Sequence, residues 1–576
     1  MVNSFYTPIN TENEKGTKVD PLIAKIKEMD NEQWFYKKEP AGGLTDNELA
    51  LAKLMDIERA KYRDKIGNGE NIAAQPFYDI KKDRIESEPL FFNVFKQMPK
   101  GGLLHVHSSA ALSIEGYKDL LEKWDLGHAS RPESGEPAPL SIFVLKEDYK
   151  IEGKDPILAG SLYYKYCKEK LNIPDALWAP ICDYLTDVTK WSNLCALLTF
   201  NHETAFDKDH WKTLNLMFIR IDNLFTDKDF FTGYHESFFK ECREDGIEYV
   251  EMRCGFTTFG SPDKPVGLPV LHEDYSHKNY HVCREMMSPD NEEPAFLKCI
   301  KTAVTNVNKG LKDTDKIIVK VILNVRRDLN PKVRAQNDKI INRLEAAIEY
   351  HLGDYKDLVI GFDFVSEEDK GQRTSVYSKE YIYKTIGSQS SPSISLIDFY
   401  LHDGESLWTD NNNIYDAVAA CKYRIGHGFN MALHPGIINN ITFTRTKPEK
   451  VEYSSIIQAK FPILELCPIS NQLLGYFPDL RGHTGYQLMR NGIMCVLGND
   501  DPFMFGNPGL SYDFWMAYVC MGLDFSSVKR LVFNSLLPMH GYDDENNFPS
   551  VNFLSKWEDF VNESLKKLKN PPPDEE

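Results

Sequence analysis

Eight short runs rich in β-branched and aromatic residues recur along this chain, most of them separated by spans long enough for a helix. They lie at Leu103–His107, Ile247–Arg253, Ile317–Val325, Leu358–Phe364, Ile394–Leu401, Lys422–Ile425, Phe461–Leu466 and Ile493–Leu497. Alternating strand and helix predicts a parallel sheet, because a parallel neighbour is reached only through a crossover. Eight such units predict an α/β fold of the closed (β/α)8, TIM-type class. Barrels of this kind gather their chemistry at the C-terminal ends of the strands, so the residues after each run are the ones expected to meet.

Those residues are unusually rich in metal ligands and acids. The runs are followed or closed by His105-Val106-His107, His402-Asp403-Gly404-Glu405, Arg424-Ile425-Gly426-His427-Gly428, Cys467-Pro468-Ile469-Ser470-Asn471 and Gly498-Asn499-Asp500-Asp501-Pro502. His105 and His107 are two apart, so on a strand both project to one face. With His402 and Asp500 they offer three neutral nitrogens and one carboxylate, leaving a position for water, which is a catalytic zinc donor set. Each histidine alone would equally suit a hydrogen-bonded core position. Glu405, three residues after His402, can stay protonated when desolvated and act as a general acid; otherwise it caps the next helix. His427, between two glycines, fits a residue that positions and deprotonates the attacking water, or a turn histidine whose glycines serve only backbone shape. Asp500 and Asp501 are adjacent like charges, costly without a cation, which favours a metal for one and a substrate donor for the other.

Met98-Pro99-Lys100-Gly101-Gly102-Leu103-Leu104-His105-Val106-His107, taken with the four later motifs, resembles the adenosine deaminase family. That opening run, the long N-terminal extension and the insertion after the first strand are similar to its growth-factor-like branch. The similarity covers roughly Met98 to Phe505. The resemblance implies a zinc (β/α)8 barrel with His105, His107, His402 and Asp500 as the zinc ligands. It implies that Glu405 protonates purine N1 and that His427 is the base and orienter of the water. Asp501 then pairs with purine N7 or with that water. The implied reaction is hydrolytic removal of the C6 amino group of adenosine, giving inosine and ammonia. A homodimer built through the N-terminal extension is implied as well. Ser108 stands where the branch usually has an acidic residue against the ribose, and Ser366 where the family has a glycine whose amide meets purine N3. Ser108, Ser366, Gly404 and Asp501 are therefore the expected substrate contacts. The two serines keep open adenine, adenosine 5′-monophosphate or a modified adenosine as substrate, and also a catalytically weak relative that acts by binding a partner. Arg326 and Arg327 after the third strand could meet a phosphate, although paired arginines at a barrel rim more often face solvent.

Composition bounds the alternatives. A formal net charge of -18 over 576 residues argues against nucleic acid, which is held mainly by Lys and Arg. No apolar run is long enough to span a bilayer. The first residues lack a basic segment followed by an apolar one, so a cytoplasmic location is expected, with secretion of a mature form left open. Eleven scattered cysteines read as reduced core thiols, although Cys167 and Cys182 could bridge in an oxidising compartment. Residues 1–95 read as a helical extension and possible dimerisation segment. There Thr45 and Glu48 form a capping box, and Leu49, Leu51, Ala52, Leu54, Met55 and Ile57 a stripe that packs on this barrel or on a partner. Residues 96–565 read as the barrel, with an inserted subdomain at about 125–200, and 566–576 as a disordered tail.

Overall fold

Eight parallel strands close into a barrel in the computed structural model, which describes residues 44–66, 71–129, 142–145, 158–160, 178–202, 204, 209–257, 259, 294–377, 396–438, 462–537 and 550–570. They are β1 (Gly101–Leu103), β2 (Ile247–Gly255), β3 (Ile318–Arg326), β4 (Val359–Val365), β5 (Asp398–Phe399 and His402–Asp403), β6 (Arg424–His427), β7 (Ile463–Leu466) and β8 (Cys495–Leu497). Neighbours in sequence are neighbours in space, and every pairing is parallel. The ring closes beyond β1, where Val106 bridges Asp500 and the His107 N–H donates to the Asp500 carbonyl at 2.8 Å. Strand β5 is broken because it changes partners. Its first half pairs with β4 and its second with β6. At the break the Tyr400 ring lies so near Gly361 that a Cβ there would come within 2.3 Å of it, which only glycine allows.

The strands are buried on both faces, as a barrel wrapped in helices requires. The interior is not purely apolar. Glu251 and Arg253 on β2, Asp363 on β4, Arg424 on β6 and Glu465 on β7 are all at most 1% exposed. Buried charges at this density persist only when they pair with one another, and these do.

Helix Asp46–Ile66 starts at the expected capping box, with the Thr45 N–H donating to Glu48 at 2.7 Å and the Glu48 N–H to the Thr45 hydroxyl at 3.3 Å. Its buried face is Leu51, Met55 and Tyr62, whereas Leu49 and Ile57 are 46% and 59% exposed. The stripe is thus narrower than the sequence suggests, and it packs on the chain's own C-terminal helix, Ser550–Lys569. Glu48 fixes the contact by accepting from the Trp557 indole at 2.6 Å and pairing with Lys529 at 2.7 Å. That C-terminal helix runs to Lys569, so residues 566–569, expected in the disordered tail, form its last turn. Lys566, Lys567 and Lys569 suit the negative end of the helix dipole there.

Between β1 and β2 the chain forms a small antiparallel sheet, with Ile142–Leu145 flanked by Leu158–Gly160 and Trp178–Pro180. Helices His210–Ile221 and Lys228–Glu244 follow; the first lends Trp211, Leu214 and Phe218 to the cavity, and the second packs against β2 and lends Phe231. Cys167 lies outside the described residues, and with it the suggested bridge to Cys182. Among the described residues no helix is long and apolar enough to cross a membrane.

Candidate active site

The strand ends bring His105, His107, His402 and Asp500 to one point. His105 Nε2 and His107 Nε2 lie 3.3 and 3.1 Å from Asp500 Oδ1, and His107 Nε2 lies 3.1 Å from His402 Nε2. Ligands about 2.0–2.1 Å from a tetrahedral zinc stand about 3.3 Å apart, so this spacing fits such an ion. His105 Nε2 is fully buried with no hydrogen-bond partner. Such an orphaned lone pair in the interior is costly unless a cation meets it. The donor set of three imidazoles and one carboxylate suits zinc.

Two carboxylates aim these imidazoles. His105 Nδ1 lies 2.8 Å from Glu465, and His402 Nδ1 lies 2.6 Å from Asp363. Each carboxylate accepts a hydrogen bond from the Nδ1–H, which leaves the Nε2 lone pair facing the shared point. Burial lowers the His402 pKa to about 3 against the pull of Asp363, so the ring is neutral and free to ligate. Asp500 is held by a hydrogen bond from Ser470 at 2.7 Å. Burial alone would raise its pKa, but the His105 and His107 imidazoles outweigh that and keep it well below the usual carboxylate range.

Arg253 is the hub beneath. Its Nε donates to Asp363 at 3.0 Å and its Nη2 to Glu465 at 2.6 Å, while Nη1 reaches the Leu104 carbonyl at 2.8 Å. One guanidinium therefore fixes both orienting carboxylates and the backbone entering His105. Arg424 adds a second cation, bonded to Glu465 at 2.6 Å and paired with Glu251.

Beside the donors lie two further buried acids, Glu405 and Asp501. Gly404 takes φ +83°, which swings Glu405 back into the barrel. Glu368 holds the turn by accepting the Gly404 and Glu405 amides at 3.2 and 2.6 Å. Both Glu405 carboxyl oxygens are buried without a partner, so the residue caps no helix. Burial, then the charges of Asp500 and Glu368, raise its pKa well above the usual value, so it carries a proton. Burial and the adjacent Asp500 push Asp501 well up too. Desolvation and like-charge proximity thus separate the two neighbouring aspartates.

His427 Nε2 faces this group, 3.6 Å from Glu405 and 3.9 Å from Asp500. A chain of bonds behind it sets its tautomer. The Gly485 N–H donates to His483 Nδ1 at 3.0 Å, His483 Nε2 meets Asn471 Oδ1 at 3.1 Å, and Asn471 Nδ2 meets His427 Nδ1 at 3.3 Å. Since His483 must carry its proton on Nε2, Asn471 donates to His427, whose own proton is left on Nε2. His427 is therefore set to orient an oxygen by donating to it. The expectation that it acts as a base has to be narrowed accordingly.

A cavity of about 320 Å³ opens onto His107, His402, Glu405, His427, Asp500 and Asp501, with Ser108 and Ser366 on its wall. Trp211, Phe218, Phe225 and Phe256 supply an apolar side. Gly404 does not line it. Its amide is taken by Glu368, so its part is to aim Glu405 rather than to touch a ligand. Arg327 is also not at the rim: it is fully buried against Asp403 at 2.9 Å. Arg326 does line the cavity and pairs with Asp328 at 3.0 Å.

His427, Asp500 and Ser366 are the non-glycine residues with positive φ among those described, at 56°, 57° and 90°. Backbone strain of about 1–3 kcal/mol per residue is typical of functional sites. Ser366→Gly should raise stability by about 1 kcal/mol, after subtracting the roughly 0.4–1 kcal/mol lost to glycine's freedom in the unfolded chain. Urea unfolding measures it, and a destabilised variant would show that Ser366 is not strained.

The sequence motifs flagged the ligands and acids but left Asp363, Glu465, Arg253, Ser470, Asn471 and Glu368 without roles. Charged residues inside otherwise apolar strands were the available signal for the first three.

A family model described as adenosine deaminase matches residues 276–546. "Adenosine deaminase 2" of Dictyostelium discoideum is 24% identical over 495 residues, spanning 85% of this chain and 78% of that protein. "Adenosine deaminase" of Lutzomyia longipalpis is 28% identical over 459 residues, 79% of this chain and 76% of its own. "Adenosine deaminase 2" of Homo sapiens is 24% identical over 537 residues, 90% of this chain and 88% of its own. Among solved structures, a cog1816 amidohydrolase from Burkhoderia ambifaria with bound zinc covers 84% of this chain and 97% of its own, at 12% identity and a TM-score of 0.47.

Proposed function

We propose that the chain is a hydrolytic deaminase of the adenosine deaminase family, whose model matches residues 276–546, and that it removes the C6 amino group of adenosine, giving inosine and ammonia, with zinc as its metal. The observation that carries this reading is the pair of unpartnered, buried Glu405 oxygens beside the converged imidazoles. A protonated carboxyl with no protein partner, facing a ligand-sized cavity, is a proton donor in wait for a base such as purine N1.

His105, His107, His402 and Asp500 would hold the ion. When bound, it supplies Lewis acidity that lowers the pKa of water from 15.7 to about 7, making a nucleophile available at neutral pH. The remaining work falls to side chains. Glu405 gives its proton to N1, which withdraws electrons from C6 and opens that carbon to attack. The His427 N–H orients the attacking oxygen, and Asp501, kept protonated, donates to N7. The water's oxygen ends on C6, one of its protons leaves with the amino group as ammonia and the other restores Glu405, whose original proton stays on N1 of the product. Burial of all three side chains keeps bulk water from competing for these protons.

Ammonia release with adenosine, 2′-deoxyadenosine, adenine and adenosine 5′-monophosphate tests the reading. Adenosine is expected to lead by at least tenfold in kcat/KM, and preference for another purine would redirect the substrate assignment. Treatment with a strong chelator should remove one zinc per chain by elemental analysis and abolish turnover, and zinc should restore both. Full activity in metal-free protein would overturn the metal assignment.

A further inference from the structure

Glu405 has a placement problem that the metal ligands do not share. The imidazoles of His105 and His402 are aimed by carboxylates bound to the rings themselves, Glu465 and Asp363. An acid that keeps its proton for a substrate cannot be held in that way, because an acceptor at its carboxyl would take the same proton. Both Glu405 oxygens are accordingly without a partner, and His427 Nε2, at 3.6 Å, is beyond hydrogen-bond reach. The aim must come from the backbone that carries the side chain.

Two buried residues grip that backbone from opposite sides. Glu368, 3% exposed in the turn after β4, accepts the Gly404 N–H at 3.2 Å on Oε1 and the Glu405 N–H at 2.6 Å on Oε2. Asn430, 1% exposed just after β6, donates its backbone N–H to the Gly404 carbonyl at 3.0 Å and its side-chain amide to the Ser406 carbonyl at 2.9 Å. Each grip is itself fixed. Asn413 Oδ1 accepts the Thr374 N–H at 3.1 Å, so its Nδ2 is the end that donates to Glu368 Oε1 at 2.9 Å. Asn430 Oδ1 meets His434 Nε2 at 2.7 Å, which leaves Nδ2 for the carbonyls. Asp363 and Glu368 thus divide the end of β5 between them, the first aiming His402 and the second the turn that carries Glu405.

We propose that Glu368 and Asn430 are positioning residues for the proton donor, aiming Glu405 at the substrate by clamping the Gly404–Ser406 turn from its amide side and its carbonyl side. The inference rests on the reading of Glu405 as the donor to purine N1 and adds how a carboxyl with no partner of its own is held. Isosteric substitutions reverse each grip without changing its volume. Glu368→Gln turns an N–H toward another N–H whichever way the new amide lies, because both carboxylate oxygens accept. Asn430→Asp turns a carboxylate oxygen toward the Ser406 and Trp408 carbonyls, 2.9 and 3.2 Å from the nitrogen it replaces.

The test measures kcat and KM for ammonia release from whichever of adenosine, 2′-deoxyadenosine, adenine and adenosine 5′-monophosphate the zinc-loaded wild type uses fastest. The variants are Glu368→Gln and Asn430→Asp, each alone and each combined with Glu405→Gln, with zinc per chain determined for all. Each change alone should lower kcat by about 10–100-fold, the cost of a misplaced reacting group, with KM within about threefold of wild type and zinc retained. On the Glu405→Gln background the same change should cost less than about threefold, because no proton is left to aim. A residue that merely supports the fold would lower kcat by the same factor on both backgrounds. That result, an unchanged kcat, or loss of zinc overturns the inference for the residue concerned and leaves the deaminase reading standing. If Glu368→Gln does not fold, the Asn430→Asp cycle decides. Turnover by Glu405→Gln within about tenfold of wild type removes the donor and this inference with it. Silence of wild type on all four purines overturns the deaminase reading as well.

Discussion

Replacing Glu405 by glutamine is expected to lower kcat by about 10²–10⁴-fold, the usual share of a positioned general acid. Glutamine keeps the shape of the side chain and the turn held by Glu368, but it has no acidic proton to give. KM should change much less, since an amide N–H can still meet purine N1. The pH profile supplies an independent check. Burial and the charges of Asp500 and Glu368 raise the Glu405 pKa, so its acid form is full at low pH and is lost as pH rises through that value. Activity that depends on this proton must fall on the alkaline side in wild type, and that limb should vanish from the residual activity of Glu405→Gln. A variant within about tenfold of wild type, or one that keeps the alkaline limb, would remove Glu405 from the proton-donor role.

Arg253→Met should be the most destabilising change in the barrel interior, by about 3–5 kcal/mol, because it strands two buried carboxylates rather than merely deleting a contact. Asp363 and Glu465 both stay ionised in the interior, and Arg253 touches each. Without it they must either take up protons or repel each other. In both cases they grip His402 and His105 less well, and zinc affinity should fall by about 10–100-fold, as loss of second-sphere support generally causes. Arg326→Met, at the half-exposed rim, is the matched control and should stay within about 0.5 kcal/mol of wild type. Denaturant unfolding of the metal-free protein separates the stability effect from the metal effect. Equal stability of the two variants would mean that Arg424 alone supports the network.

Part of the Arg253 argument could never have come from periodicity. Strand detection rewards apolar residues, so Glu251, Arg253, Asp363, Arg424 and Glu465 appear in the sequence as interruptions of good strands. In the barrel they occupy inward positions on four different strands and neutralise one another. Arg326 and Arg327 show the same limit from the other side. They are adjacent and chemically identical, yet Arg326, the last residue of β3, lines the cavity, and Arg327, the first of the following turn, is sealed against Asp403.

What the sequence determined by itself is whatever local spacing and residue chemistry can encode. Strand and helix periods gave the barrel class, because seven crossovers of right-handed sense joining eight strands leave few other closures. The strand-end motifs placed His105, His107, His402, Asp500, Glu405, His427 and Asp501 at one mouth, because strand direction in a parallel barrel sends every C-terminus to the same side. The capping box at Thr45 was legible for the same reason, being a contact within four residues. Only the tertiary structure decided how those groups behave. The tautomer of His427 depends on His483, 56 positions away, and the Ser108 hydroxyl meets the ring of His235, 127 positions away. Proton placement and pKa are properties of the space around a group, set by burial and by partners the chain brings together only on folding.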